Sequence, residues 1–338
     1  MKINSRLLSF DELKKYLSNL NENDLTDLMY ATFLQQKEKW GMFSEGWKGF
    51  QLSEFRKYYF GWFCIKTQFN PTRLVSSSAK VDEESIKNRK CFLCLENLPK
   101  DQKGVLFEDE LIILCNPAPI FNEHFTISHL EHTPQRIYEN IEKMLRLSES
   151  CNNEYTVFYN GPKCGASAPD HFHFQACPSN ELLSEKDIIN NLGKFPLIKE
   201  NKNIKIHCSE NYLRNVLILI SKDIQAISDE FRLIYGYLQN LNSNYNEEPM
   251  MNIFSLKRGE EFYLVLFPRE KHRPSFYFLG GEENMLVSPG LVDMSGIIIT
   301  PLQKDFERMN HNIIRQIYTE VSYNSEKFKE LVNEISTV

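Results

Sequence analysis

The stretch Tyr159-Asn-Gly-Pro-Lys-Cys-Gly-Ala-Ser-Ala-Pro-Asp-His-Phe-His-Phe-Gln175 constrains the fold more than any other part of the chain. Polar and apolar residues alternate strictly from His171 to Gln175, a period that predicts a β-strand. In a strand, His171, His173 and Gln175 share one face at a spacing of about 7 Å, and Phe172 and Phe174 share the other. One face must therefore meet an apolar layer. The other must find partners for two imidazoles and an amide, because burying such groups unpaired is costly. The loop before the strand contains Asn160, Gly161, Gly165, Ala166 and Ser167. Glycines and small residues there can turn several backbone N–H groups toward one point, as in an anion nest for phosphate. The plain alternative is a tight turn leading into a strand whose histidines are satisfied internally.

The surrounding pattern predicts an α+β fold. Leu111–Cys115 and Phe125–Ile127 read as strands. Thr133 and Pro134 read as the N-cap and first position of a helix carrying Ile137, Ile141, Leu145 and Ser148, and Tyr155–Tyr159 returns to strand. The second half repeats this order. Asn215–Ile220 reads as a strand, and Ile224, Ile227, Phe231, Ile234 and Leu238 form a helix face. Met251–Leu256 and Glu261–Phe267 then form a hairpin around Lys257-Arg-Gly-Glu260. Strand, helix, strand, strand occurring twice predicts duplicated units with an antiparallel sheet and flanking helices. Upstream, Ser9 and Glu12 have capping-box spacing before Leu13, Tyr16, Leu17 and Leu20, and a second helix is expected from Asp24 to Lys39. The aromatic-rich stretch from Trp40 to Phe63 fits a packing layer or a platform for a nucleobase ring. The expected units are an N-terminal helical extension over 1–75, a first half carrying the histidine strand over 76–180, and a second half over 181–338. Residues 76–90 read as a linker, and a C-terminal helix from Lys304 carries Phe306, Ile313, Ile314, Ile317 and Val321.

Lys and Arg total 39 against 45 Asp and Glu, a net charge of −6, which argues against a broad basic surface for nucleic acid. No apolar run approaches the ~18–20 residues of a membrane span. The opening Met-Lys-Ile-Asn-Ser-Arg leads into a charged amphipathic segment, so a cytoplasmic protein is expected. Of eight cysteines only Cys91 and Cys94 form a patterned pair. A lone C-x-x-C fits a redox pair, two buried thiols or half of a metal site.

Together the residues from Cys91 to Gln175 resemble the histidine-triad superfamily, in its transferase branch of galactose-1-phosphate uridylyltransferase, diadenosine tetraphosphate phosphorylase and GDP-hexose phosphorylases. Hydrolases of that superfamily carry a further histidine where this chain has Gln175, so the resemblance favours nucleotidyl transfer. It implies His173 as the nucleophile that becomes nucleotidylated, beside His171, with Gln175 and Ser167 as phosphate ligands in the loop of Asn160, Gly165 and Ala166. It also implies a structural zinc held by Cys91, Cys94, His132 and His171, with His124 and His129 close enough in sequence to compete for the third place. Asn116 and His124 are candidates for the nucleoside pocket, and Arg73, in Gln68-Phe-Asn-Pro-Thr-Arg73, for substrate phosphate. In the second half Arg269, Lys271 and Arg273 would grip phosphate or form a solvated basic rim. One departure is Asp170, which stands between Pro169 and His171 where the transferases place proline directly before the histidine. The implied substrates are a nucleotide sugar or dinucleoside polyphosphate, with phosphate or a sugar phosphate as acceptor, in a protein that forms homodimers. A nucleotide hydrolase and a non-catalytic, zinc-stabilised nucleotide-binding protein are the rival readings.

The chemistry is self-consistent. A neutral imidazole with its ordinary pKa of ~6.5 is a competent nucleophile at pH 7. A phosphoimidazole divides one difficult exchange into two easier steps, and backbone donors with Gln175 can stabilise the charge that builds in each.

Overall fold

The alternating segment becomes, from His173 onward, a strand near the middle of a large sheet. In a computed structural model describing residues 3–78, 81–209, 211–242 and 247–337, the strands follow in chain order. They are β1 (Glu54–Phe60), β2 (Phe63–Phe69), β3 (Gly104–Phe107), β4 (Leu111–Cys115), β5 (Phe125–His129), β6 (Tyr155–Asn160) and β7 (His173–Pro178). After these come β8 (Leu197–Glu200), β9 (Lys205–Ser209), β10 (Val216–Ser221), β11 (Met251–Arg258), β12 (Glu261–Pro268) and β13 (Ile297–Thr300). Among the described residues one sheet has the order β3-β4-β5-β7-β6-β11-β12-β10-β9-β8, antiparallel throughout. A smaller sheet joins β1, β2 and β13, the last running parallel to β2.

The duplication is visible in the pairing. β6 and β11 meet at the middle of the large sheet with Phe158 opposite Phe254. Outward from that pair the order is β7, β5, β4, β3 on one side and β12, β10, β9, β8 on the other. A local two-fold between the two phenylalanines therefore carries one half onto the other. Phe158 pairs with Gln175, and Phe254 pairs with Val265. Val265 thus stands where Gln175 stands, and Tyr263 where His173 stands. The second half keeps the strand and has no imidazole at that place.

Alternation along the strands sorts the side chains into two cores. On one face Phe172, Phe174, Val157, Tyr159, Ile253 and Leu219 pack with Leu145 of helix Ile141–Ser150 and Phe231, Ile234 and Leu238 of helix Ile224–Asn240. On the other, Phe158, Phe254, Ile218 and Val265 pack in one cluster with Ile65 of β2, Ile298 of β13 and Ile317 of helix His311–Val321. Phe172 and Phe174 are buried, worth about 1.5–3 kcal/mol each. Their burial commits His173 and Gln175 to the opposite face, because a one-residue slip would exchange the two sets.

Five local expectations are modified. The extension over 1–75 is not wholly helical, since β1 and β2 form a hairpin within it. The C-terminal helix expected from Lys304 is divided into Gln303–Arg308 and His311–Val321. The helix after Pro134 begins only at Ile141, behind a single turn at Tyr138–Asn140. The intervening backbone is held by Phe172 N–H donating to the Thr133 carbonyl at 2.6 Å and Gln135 N–H to the Pro169 carbonyl at 3.2 Å. The Ser9–Glu12 capping box forms, but its helix is one turn, Phe10–Leu13. Residues 76–90 are not a bare linker, since Leu74–Ser77 and Glu83–Asn88 are short helices. The second expected helix runs Leu25–Lys39, with Asp24 accepting from Thr26 N–H at its start. Among the described residues no helix is long and apolar enough to cross a membrane.

Phe174→Ala leaves a cavity against two helices and should cost about 3–5 kcal/mol. Urea unfolding measures it, and a loss under about 1 kcal/mol would contradict the packing described.

Candidate active site

His173 is almost fully buried at the start of β7. Its Nδ1 lies 2.9 Å from the carbonyl oxygen of His171. A carbonyl only accepts, so Nδ1 carries the proton and Nε2 carries the lone pair. Burial pushes the ring down to about 4, against the pull of that carbonyl, so it is neutral at pH 7 with more margin than an ordinary histidine. The backbone of His173 is fixed by Gln135, whose Oε1 accepts from His173 N–H at 2.8 Å. Gln135 Nε2 donates to the carbonyls of His173 at 2.9 Å and Asn160 at 3.0 Å. The β6–β7 pairing ends at Phe158 and Gln175. Beyond it the strands part to admit the glycine loop, and this buried amide replaces the missing ladder bonds.

The loop is pressed against the second half. Gly165 has φ +93, and a Cβ there would meet the Cα of Gly290 at 2.6 Å. Asn160 Oδ1 accepts from Leu291 N–H at 2.6 Å and from Asn252 Nδ2 at 2.7 Å. Between loop and second half lies a cavity of about 720 Å³ lined by His173, Gln175, Ser167, Gly165, Asn160, Asn116 and Arg73, with Ser288, Gly290 and Asp293 opposite. Its apolar wall includes Leu93, Leu114, Ile120 and Phe158. Arg73 donates through Nη1 to the Ala118 carbonyl at 2.8 Å, and its Nε is buried with no protein partner. Burial lowers its pKa to about 10, so it stays a cation at pH 7. Arg89, not anticipated, also lines the cavity.

Around His171, two residues before the strand, lies a Cys2His2 cluster. Cys91 Sγ and His171 Nδ1 are 3.3 Å apart, Cys94 Sγ and His171 Nδ1 3.6 Å, and Cys94 Sγ and His132 Nδ1 3.2 Å. The four ligand atoms all lie within 4.8 Å of one another. Tetrahedral zinc with bonds near 2.3 Å to sulfur and 2.05 Å to nitrogen has ligand–ligand edges of about 3.3–3.8 Å, so the donor set and its spacing suit a metal ion of that kind. Burial first, then the neighbouring Cys91, pushes the Cys94 thiol up. His171 Nε2 donates to the His129 carbonyl at 2.8 Å, which leaves Nδ1 as the ligand atom. Asp170 pairs with Arg89, and its other oxygen lies 3.8 Å from His132 Nε2. The extra residue therefore holds the far side of a ligand.

The placement of the other candidates is uneven. His129 accepts from Glu131 N–H, and His124 is buried beside Gln175, so neither reaches the cysteines. Ala166, within the loop, is buried. Asn116 is held by Thr126 and the Ala118 N–H. Arg269 is not brought to the cavity. It is fully buried, donating to Asn252 and to the carbonyls of Val321, Pro289, Lys271 and His272. Its link to the site is indirect, through Asn252 to Asn160. Lys271 and Arg273 are also absent from the lining, although Arg273 Nε donates to the lining Ser288 at 2.9 Å. Sequence reading missed Gln135, Arg89 and the 288–293 segment. Only the Gly290–Asp293 spacing, a helix-start pattern, offered a signal for the last.

Two variants probe this geometry. Cys91→Ser should remove most of about one bound zinc per chain and lower thermal stability; a purified protein lacking metal, with unchanged stability in the variant, would refute the cluster's role. Gly165→Ala forces a side chain onto a left-handed backbone against Gly290 and should cost at least about 1 kcal/mol in urea unfolding; a neutral result would contradict the contact.

Two family models match consecutive parts of the chain. Residues 32–178 match the domain of unknown function DUF4922, and residues 188–338 match the GDPGP1-like C-terminal domain. GDP-L-galactose phosphorylase 2 of Arabidopsis thaliana is 25% identical over 234 residues, 65% of this chain and 50% of that protein. The match thus spans about half the length of this curated relative. The crystal structure of yeast Ap4A phosphorylase Apa2 is 16% identical, with a TM-score of 0.59 over 89% of this chain and 95% of that one. Its complex with AMP gives 0.60 over 89% and 97%, also at 16% identity. The likeness to the two Apa2 structures shows a shared fold, and the two family models match the two halves of that fold in turn.

Proposed function

We propose that the chain is a nucleotidyltransferase of the phosphorylase kind, acting on a nucleotide sugar or a dinucleoside polyphosphate through a covalent nucleotidyl-histidine. One observation carries the reading: the unprotonated Nε2 of His173 belongs to a residue that lines a cavity with an amide donor, a glycine loop and a cation. Two proteins of similar sequence or fold, a GDP-L-galactose phosphorylase and an Ap4A phosphorylase, support the same class.

The steps follow from the groups present. His173 Nε2 attacks the α-phosphorus, a P–N bond forms, and the bond from phosphorus to the bridging oxygen breaks. The departing β-phosphate keeps that oxygen as part of a sugar phosphate or nucleotide. The His171 carbonyl holds the Nδ1 proton and stabilises the positive charge the ring gains. Gln175, Ser167 and loop N–H groups surround the phosphoryl oxygens, where donors are worth most as charge builds. An oxygen of inorganic phosphate then attacks the same phosphorus, the P–N bond breaks, and a nucleoside diphosphate leaves with His173 restored. Gln175 cannot protonate a leaving group, so the leaving group must itself be stable as an anion, as a phosphate is. A zinc in the Cys2His2 cluster would hold His171, and through its carbonyl the tautomer of His173.

The test is product analysis across a panel of nucleotide sugars and dinucleoside polyphosphates, with and without inorganic phosphate. Nucleoside diphosphate should form only with phosphate, and His173→Ala should lose about a thousandfold or more while remaining folded. Nucleoside monophosphate released in plain buffer would make the protein a hydrolase, and undiminished turnover by His173→Ala would exclude the nucleophile.

A further inference from the structure

The amide of Gln175 has two chemically different ends, one accepting and one donating, and a half-turn exchanges them. Which end meets a phosphoryl group decides whether Gln175 attracts or repels it. The neighbour that distinguishes them is His124. Its Nδ1 lies 3.2 Å from the backbone N–H of Ile120. That N–H can only donate, so Nδ1 carries the lone pair and the ring proton sits on Nε2. Nε2 lies 2.8 Å from Gln175 Oε1. The ring therefore donates to the amide oxygen, and the amide nitrogen is left for the cavity that Gln175 lines.

His124 is built to keep this arrangement. It is 1% exposed, outside the cavity lining, with its ring 6.0 Å from that of Phe158 and 5.8 Å from that of Phe121. Burial first, and the charge of Arg73 second, hold its pKa at about 3, so it keeps one neutral tautomer at working pH.

We infer that His124 is a positioning residue that fixes Gln175 as a hydrogen-bond donor to the transferring phosphoryl group, and not a ligand of the nucleoside. The catalytic consequence rests on the function proposed above; the orientation of the amide does not.

A double-mutant cycle tests the consequence. His124→Phe keeps the ring's bulk and removes its donor. It should lower kcat about 10–100-fold with KM little changed, less than or equal to the ~10²–10³ typical of losing an oxyanion donor outright. In a Gln175→Ala background it should cost no more than about twofold, since there is no amide left to orient. Equal losses in both backgrounds would show a merely structural role, and no loss in the native background would remove the inference. The orientation is read separately by nitrogen-15 NMR of the intact protein, without substrate. The expected spectrum has His124 as the neutral Nε2–H tautomer, with the Gln175 amide protons close to His173 or Ser167. An Nδ1–H tautomer, or amide protons directed at the His124 ring, would overturn the inference. A protein inert toward every donor would remove the proposed function and leave this spectrum to decide the orientation.

Discussion

The hydrogen bond from His173 Nδ1 to the carbonyl of His171 is the interaction on which the site depends. It fixes where the lone pair of the imidazole lies, and so whether the ring can act as a nucleophile. It holds only if the peptide after His171 keeps its orientation. Two independent restraints ensure that. On one side His171 is fixed by the His129 carbonyl and the two cysteines. On the other, Gln135 grips both backbone groups of His173. The Cys2His2 cluster and the His173 imidazole are therefore two ends of one three-residue segment. A disturbance of the cluster is transmitted through a peptide unit and needs no longer route.

The two halves divide the work unequally. The local two-fold puts Tyr263 and Val265 where His173 and Gln175 stand, so the second half supplies no copy of the polar face. What it supplies is a wall. Gly290 closes on Gly165, Leu291 N–H and Asn252 hold Asn160, and Asp293 fixes the turn by accepting from Gly290 and Ile299 N–H groups. Arg269, which resembles a phosphate-gripping cation in the sequence, is spent on that wall. Its guanidinium joins five oxygen acceptors from four stretches of chain, a role that only a buried, permanently charged fork of donors can fill.

Much of this was legible in the sequence wherever the information is local. Alternation in His171–Gln175 gave the strand from His173 onward, with Phe174 opposite in facing to His173 and Gln175, while His171 lies just before it; the repeated order of elements gave the duplicated sheet. The joining of Cys91, Cys94, His132 and His171 was implied by resemblance and appears in the geometry. What was not legible depends on contacts between distant segments. Gln135 follows Thr133-Pro134 and reads as the first turn of a helix; it is taken out of that helix because two parting strands need an amide between them. Asp170 looks like a disruption before His171, yet it pairs with Arg89 and faces His132. His124 reads as a pocket residue because the resemblance places residues after the Asn116-Pro117 turn in the nucleoside pocket, and only the Ile120 N–H reveals which of its nitrogens is free to donate.

The proposed chemistry requires His173 to become bonded to phosphorus. Intact-mass measurement after brief mixing with labelled donors, without phosphate, tests this most directly. The predicted result is a mass gain of one nucleoside monophosphate, labile to acid, on the peptide containing residues 171–175 and absent from His173→Asn. An adduct on another residue, or turnover without any adduct when quenched at short times, would contradict it.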